Sequence, residues 1–96
     1  MDEIKEGTKH DQGKSRLELV DPHWLVDVGY VLAHGASIHG EYNWREVAIE
    51  RYYGAILRHT LAIMSGEYID PDSGKPHAAH LACNAMFLHY LGDPQI

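Results

Sequence analysis

The sequence lacks the features that mark several common classes of protein. Its one cysteine, Cys83, excludes an internal disulfide. Eight Lys and Arg residues stand against fourteen Asp and Glu, and the net charge of -6 argues against duplex nucleic acid as a partner. No apolar run approaches the ~18 residues of a membrane span, and the charged N-terminus does not resemble a signal peptide. We therefore expect a cytoplasmic protein with no membrane partner.

Apolar residues and histidines, by contrast, are abundant. Hydrophobic residues make up 45% of the 96 residues, yet a single domain of this size buries only about 60–65% of the surface of its unfolded chain. Self-association would cover the remaining apolar surface, so we expect a homo-oligomer, either a dimer or a tetramer. The chain also has eight histidines, which are many for its length and are candidates for site chemistry.

The apolar periodicity predicts an all-α fold, in which a small bundle of three main helices is joined by long structured loops. Asp21 and Pro22 are typical of a helix start, and Gly35 is placed to end the first helix. No Asp, Glu, Lys or Arg lies between Pro76 and Gly92, so the third helix should be the most buried. We predict a single domain over residues 1–96, with helices at about 22–34, 44–64 and 76–91.

The third predicted helix carries a polar stripe. At 100° per residue, His77, His80 and Asn84 fall on one side, and Leu81 and Leu88 flank them. Buried polar groups need partners, so we expect a polar element opposite this stripe. A site is one interpretation, and ordinary hydrogen bonding of core histidines is the other.

The loop before this helix supplies carboxylates, namely Glu67, Asp70 and Asp72, which are candidate metal ligands together with His80. Carboxylates with one or two imidazoles suit Mn²⁺, Co²⁺ or Zn²⁺. Mg²⁺ held by carboxylates and substrate phosphates would instead leave the histidines free for acid–base work. The pattern from Asp70 to Gly74 also makes a good turn without a metal.

Two pairs on the second predicted helix are further candidates. His59 projects toward the core, and antiparallel packing of the second and third helices would bring it to His80 or Asn84. Arg58 lies on the other side of the helix, with Arg51 and Val47. Glu46 and Glu50 form an i, i+4 pair, which we interpret as a solvated face near a helix N-terminus.

Four motifs occur in order along the chain: K-x-D-x-G-K-x-R from Lys9 to Arg16, the segment 42–45 (YNWR), Arg58-His59, and D-x-D-x-G-x-x-H-x-x-H-x-x-x-N from Asp70 to Asn84. Over residues 7–91 the sequence resembles the dATP/dGTP diphosphohydrolase N-terminal domain family of phages and bacteria. The resemblance implies a helical fold similar to MazG-like pyrophosphohydrolases, which cleave between the α- and β-phosphates with divalent metal. The paired E-x-x-E and E-x-x-D motifs of that group are absent, and Glu67 and Asp70 match the second only in spacing.

Together, the resemblance and the chemistry predict hydrolysis of a purine deoxynucleoside triphosphate to monophosphate and pyrophosphate, in the host cytoplasm if a phage encodes the chain. Residues 1–16 would form a basic arm over the site, although a frayed terminus has the same composition. The cofactor would be Mg²⁺ or Mn²⁺, with Zn²⁺ or Co²⁺ as alternatives. The predicted phosphate- and substrate-binding residues are Lys9, Asp11, Lys14, Arg16, Asn43 and Trp44, and the predicted catalytic residues are Arg58, His59, His77, His80 and Asn84.

Two other functions fit the same residues. One is a phage protein that binds a nucleotide or nucleotide signal without hydrolysing it. The other is a structural or oligomerisation module in which His59, His77 and His80 knit a core or a zinc-stabilised interface.

Overall fold

The computed structural model describes residues 12–92. Three helices, α1 (Pro22–His39), α2 (Glu50–Met64) and α3 (His77–Gly92), form the domain. A two-stranded antiparallel hairpin of β1 (Ile69–Asp70) and β2 (Lys75–Pro76) joins α2 to α3. The all-α prediction is confirmed, and this small hairpin is an addition that the apolar periodicity does not indicate.

Helix α1 starts as predicted but ends later. The Asp21 side chain accepts a hydrogen bond from the His23 N–H at 3.2 Å, and Pro22 occupies the first turn. The predicted end near residue 34 is wrong, because Gly35 keeps helical geometry inside the helix. Gly40 instead ends α1 with a φ of 97°, a conformation that favours glycine.

Helix α2 starts later than predicted. The segment Asn43–Glu46 forms a 3-10 turn, and Val47 after it is extended, so the α-helix begins only at Glu50. The interpretation of Glu46 and Glu50 as a pair on one helix is therefore wrong, although both are exposed as expected. The turn is preceded by Tyr42 in the left-handed region, with a φ of 62°.

The hairpin forms because its turn satisfies its own polar groups. The Asp72 N–H donates to the Asp70 carboxylate at 2.8 Å, and the Gly74 N–H donates to the Asp70 carbonyl at 2.8 Å. Gly74 has a φ of 72°. The His77 N–H then donates to the Tyr68 carbonyl at 2.8 Å, which fixes the start of α3 against the strand before the turn.

Helix α3 packs against both other helices and is the most buried element among residues 12–92, as predicted. The small core consists of Val31 from α1 with Ala79 and Cys83 from α3. Four of the five buried side chains of the described region are on α3, and two of these are polar: His77 and Asn84. The centre of the domain is thus built partly from polar groups.

Many large apolar side chains remain exposed in the described region. On α1 and α2 they include Trp24, Leu25, Val26, Tyr30, Tyr53, Leu57, Leu61 and Met64. Such a surface is consistent with the expected homo-oligomer, which stays a prediction. None of the helices within residues 12–92 has the length and apolar character needed to cross a bilayer.

Candidate functional site

Three histidines meet where α2 passes the start of α3. Nδ1 of His59 lies 2.7 Å from Nδ1 of His77. The His59 ring also stacks on the His80 ring, with centroids 4.6 Å apart and planes 15° from parallel. The prediction that antiparallel packing brings His59 to His80 is confirmed, since Tyr52 on the same helix meets Phe87 further along α3.

Acidic groups surround this cluster from the hairpin side. Glu67 Oε1 lies 2.8 Å from His77 Nε2, and Asp70 Oδ2 lies 3.5 Å from His80 Nε2. Ser73 Oγ is 2.7 Å from the same His80 nitrogen. His77 and His80 therefore both face oxygen atoms from the segment that joins α2 to α3.

Burial and mutual contact change the acid–base properties of the cluster. Burial lowers the pKa of His59 and of His80, and neighbouring histidines lower both further, against the opposing effect of Asp70. Burial raises the pKa of the Asp70 carboxyl, but the Asp72 N–H and the three histidines outweigh it, so that this pKa is lowered. These shifts favour neutral imidazoles at His59 and His80 beside an ionised Asp70 carboxylate.

Three of these side chains are arranged as metal ligands. One ligand atom from each of His59, Asp70 and His77 lies within 4.8 Å of the other two. Two imidazole nitrogens and a carboxylate oxygen form a donor set that divalent first-row transition metals accept. The residues present therefore fit a divalent cation.

A pocket of about 770 Å³ opens beside the cluster. The first part of its wall is α1 from Val31 to Ala36, and the opposite part comes from α2 and α3. His59, His80 and Asn84 belong to this wall, so two members of the histidine cluster also face the pocket. The Asn84 amide itself donates to the His80 carbonyl at 2.9 Å.

Two arginines of α2 line the pocket, Arg51 and Arg58. They are seven residues apart and so lie on one side of the helix. No carboxylate of residues 12–92 forms an ion pair with either of them. Arg58, the neighbour of His59 in sequence, therefore brings positive charge close to the histidine cluster, whereas Arg51 lies two helical turns earlier along the same wall.

Aromatic residues form the other end of the pocket. Trp44 stacks on Phe87 with centroids 4.8 Å apart and meets Tyr90 edge-on at 5.1 Å. The Arg45 guanidinium lies 4.2 Å from the ring centre of Tyr42. Tyr42, Asn43 and Trp44 all line the pocket.

The comparison with known proteins agrees with the sequence motifs. Residues 5–94 match the protein family described as dATP/dGTP diphosphohydrolase, N-terminal. The chain belongs to this family. A relative from Salmonella phage PMBT28, named dATP/dGTP diphosphohydrolase, is 41% identical over 85 residues. No solved structure matches the chain.

The match to this relative covers the two chains unequally. It takes in 88% of the present chain but 29% of the relative. The chain thus spans less than a third of the relative's length.

The motifs of this family member are distributed unevenly around the pocket. The Arg58-His59 motif and the 70–84 motif build the histidine cluster, and the segment 42–45 builds the aromatic end. In the arm motif, Lys9 and Asp11 lie outside the described residues. Lys14 and Arg16 are exposed and do not line the pocket, and Arg16 Nε pairs with Glu18 at 2.8 Å. The role of the arm in binding phosphate stays a prediction.

The four predicted metal ligands differ in how close they lie to the histidine cluster. Asp70 lies in the cluster, whereas Asp72 is exposed and its backbone N–H donates to Asp70. Glu67 contacts the far nitrogen of His77, and His80 stacks beside the three-ligand set. Direct ligation by Glu67, Asp72 and His80 stays a prediction.

Sequence reasoning missed three residues near this family member's site. Arg51 could have been found, because its spacing of seven from Arg58 places both on one helix face. Ser73 contacts His80 across the hairpin turn, and no sequence signal distinguishes it from an ordinary turn serine. Tyr42 lines the pocket with its backbone in the left-handed region. A tyrosine in the sequence does not predict this conformation.

Proposed function

We propose that this chain binds a purine deoxynucleoside triphosphate in the pocket and hydrolyses it to the monophosphate and pyrophosphate with a divalent cation. The observation that carries the proposal is that His59 belongs both to the group of potential metal ligands and to the pocket wall, and that His80, whose ring stacks on His59, lines the same pocket. A phosphate group in the pocket could thus reach the cation and the histidines together.

The size and lining of the pocket support a nucleotide as the ligand. Pockets for small molecules and cofactors have volumes of roughly 300–1,000 Å³, and this pocket has about 770 Å³. Arg58 lies at the end with the histidine cluster, Tyr42 and Trp44 form the aromatic end, and Arg51 is next in sequence to Tyr52, which contacts Trp44. A nucleotide has the same division, with phosphates at one end and a ring at the other.

Arg58 suits the phosphate end of this ligand. A guanidinium donates two parallel hydrogen bonds to phosphate oxygens and stays charged at all physiological pH values. Arg58 is the neighbour of His59 in sequence and raises the positive charge beside the cluster. We assign it the stabilisation of negative charge that develops as the phosphoanhydride breaks.

The reaction needs a proton acceptor for the attacking water. Water oxygen would bond to the α-phosphorus, the bond from that phosphorus to the bridging oxygen would break, and pyrophosphate would leave. We assign the water proton to Nδ1 of His80, because Nε2 already faces Ser73 and Asp70 and because burial lowers the pKa of this histidine, which favours the neutral ring. Asp70 Oδ2, 3.5 Å from Nε2, would stabilise the resulting imidazolium. A cation at the cluster would neutralise phosphate charge during the same step.

Base recognition is assigned to the aromatic end. Asn43 offers both an amide donor and an acceptor, which can read the polar edge of a base. Trp44 is stacked on Phe87, so only its remaining surface can meet a base. The preference for a purine follows from the name of the phage relative, dATP/dGTP diphosphohydrolase. We also expect the reaction to take place in the cytoplasm, which is the host cytoplasm if a phage encodes the chain, and the active form to be a homo-oligomer.

A product assay tests this proposal. The purified protein is incubated with dATP, dGTP, dCTP, dTTP or GTP and with Mn²⁺ or Mg²⁺, and the products are separated by ion exchange. We expect monophosphate and pyrophosphate, fastest with a purine deoxynucleotide. In ¹⁸O-labelled water the label should enter the monophosphate, because the α-phosphorus is attacked.

Arginine variants make the assay specific for the pocket. Arg58→Gln should lower kcat by roughly 10²–10³-fold, as for a group that stabilises transition-state charge, while Arg58→Lys keeps part of the rate. Formation of diphosphate and free phosphate, or equal rates for Arg58→Gln and the wild type, would contradict the proposed mechanism.

A second candidate is nucleotide binding without hydrolysis. The observation that favours it is the 29% coverage of the phage relative, whose activity belongs to a much longer chain. Equilibrium binding of dGTP with no product after prolonged incubation would support this candidate and overturn the first.

A further inference from the structure

We propose that His59, Asp70 and His77 form a site for a divalent transition metal, namely Mn²⁺, Co²⁺ or Zn²⁺, in preference to Mg²⁺, and that Glu67 acts as a positioning residue through His77. The inference rests on the proposed function only in that it concerns the cation of the same site. It is tested in the absence of nucleotide.

The donor atoms decide the class of metal. Two imidazole nitrogens and one carboxylate oxygen converge within 4.8 Å. Mg²⁺ takes oxygen ligands and retains its water molecules, whereas imidazole suits transition metals. Most of the protein ligands offered here are nitrogens, so the set discriminates against Mg²⁺.

The spacing is close to that of a coordinated ion. Ligand atoms around a tetrahedral centre with bonds of about 2.1 Å lie about 3.4 Å apart. The two Nδ1 atoms are 2.7 Å apart, slightly closer than this, and all three ligand atoms lie within 4.8 Å of one another. Small side-chain movements would bring all three atoms to coordination distance of one point.

Glu67 fixes which nitrogen of His77 is available. The Glu67 carboxylate can only accept a hydrogen bond, so the Nε2 atom 2.8 Å away must carry the proton. In a neutral imidazole this leaves the lone pair on Nδ1, the atom that faces His59. A carboxylate bound to the far nitrogen of a metal-ligating histidine is how such ligands are commonly oriented.

The surroundings hold these ligands in place. His77 is only 5% exposed, and its backbone N–H is tied to the Tyr68 carbonyl. The Asp70 carboxylate is fixed by the Asp72 N–H at 2.8 Å, and its side chain is 13% exposed. His59 must also change tautomer, with its proton moving from Nδ1 to Nε2, so that the Nδ1 lone pair faces the ion.

Metal titration without nucleotide tests the inference. The full chain is stripped with a chelator, dialysed, and titrated calorimetrically with MnCl₂, CoCl₂, ZnCl₂ or MgCl₂. We expect one transition-metal ion per chain, bound at least about tenfold more tightly than Mg²⁺. Visible absorption of the Co²⁺ complex should shift relative to aqueous Co²⁺ because imidazole nitrogens replace water.

Variants separate the ligands from the positioning residue. His59→Gln and Asp70→Asn should abolish Co²⁺ binding, and both avoid truncation of the buried His77. Glu67→Ala should weaken Co²⁺ binding by roughly 10–100-fold, while Glu67→Gln, whose amide oxygen still accepts the His77 proton, should restore part of it. The exposed residues Glu46 and His89 supply matched controls, and Glu46→Ala and His89→Ala should bind Co²⁺ like the wild type.

The possible failures are distinguishable. Equal affinity for Mg²⁺ and Co²⁺, or unchanged Co²⁺ binding by folded Glu67→Ala, would overturn this inference even if dGTP is hydrolysed. Selective Co²⁺ binding without any monophosphate product would support this inference and overturn the proposed hydrolysis. If chelation alone unfolds the wild type, the metal is structural. In that case Co²⁺ should restore the fold of the wild type at lower concentration than that of Glu67→Ala, and this result would still support the inference.

Discussion

The two halves of α3 use opposite chemistry to pack against the same neighbouring helix. Its first half meets α2 through imidazoles, with His77 and His80 facing His59. Its second half meets α2 and the preceding turn through aromatic rings, with Phe87 lying 4.8 Å from both Tyr52 and Trp44. One helix thus carries a polar cluster and an apolar anchor on adjacent turns.

This difference suggests that the aromatic half of α3 contributes mainly to stability and the histidine half mainly to the chemistry of the site. Aromatic contacts gain free energy from burial and need no partner of defined charge. Buried imidazoles need a hydrogen-bond partner for each ring nitrogen, because an unpaired polar group in the interior is destabilising. Their precise placement is useful when a ligand binds to them. Changes in the first half should therefore affect metal binding and turnover most, and changes in the second half should affect folding most.

The largest effect is expected from His80→Ala and Asp70→Ala. Loss of the proton acceptor or of the cluster carboxylate should lower kcat for dGTP hydrolysis by roughly 10²–10⁴-fold. Circular dichroism should show helical content near that of the wild type, because neither side chain belongs to the apolar core.

His89 provides the matched control for this experiment, because it is an exposed histidine on the same helix. His89→Ala should retain wild-type kcat. If His80→Ala keeps its activity, or instead unfolds like a core variant, the polar half of α3 has a structural role and the contrast between the halves is lost.

A smaller effect, on stability, is expected from Phe87→Ala. Phe87 is partly buried and contacts both the core cluster and Trp44. Its truncation should lower the free energy of unfolding by about 2–4 kcal/mol, measured by urea denaturation. Phe87→Leu should lose less because it keeps most of the apolar volume.

Co²⁺ binding by the Phe87 variants shows whether a change in the aromatic half of α3 also affects the histidine cluster. Well below its melting temperature, Phe87→Leu should bind Co²⁺ with wild-type affinity, since none of the three ligand residues contacts this ring. A parallel loss of Co²⁺ affinity would mean that the two halves of α3 are coupled.

The sequence was sufficient to predict features that depend on local pattern. Helix α3 lies within one residue of its predicted bounds because Pro76 and Gly92 delimit a run without charge. The approach of His59 to His80 was also predictable, because helical periodicity gives the face of each residue and a short connection favours antiparallel packing. Both results need only the period of a helix and the order of the elements.

Features that depend on tertiary geometry were not predictable in the same way. Gly35 and Gly40 look alike in sequence, and only the packing of α1 along α3 decides which one takes a positive φ. The 2.7 Å approach of His59 to His77 depends on the register of the hairpin, which sets where α3 begins. Period alone does not fix such distances.

The smallest expected effect is the pH dependence of stability, which should arise in the polar half alone. Burial lowers the pKa of His59 and of His80 in the folded protein, so the unfolded chain takes up protons first as the pH falls. The free energy of unfolding should therefore decrease below about pH 6.5, the ordinary histidine value, and level off below the lowered folded values. Asp70, whose pKa is also lowered, would lose its contribution only in more acidic solution, below about pH 4.

Urea denaturation of the chelator-treated protein at pH 7.5, 6.5 and 5.5 measures this dependence. His80→Gln removes one titrating group from the cluster, so its stability should change less between pH 7.5 and 5.5 than that of the wild type. His89→Gln, in the other half of α3, should follow the wild-type curve. If both variants gave the same curve, the acid sensitivity would belong to the histidines in general, and the polar half of α3 would have no distinct electrostatic behaviour.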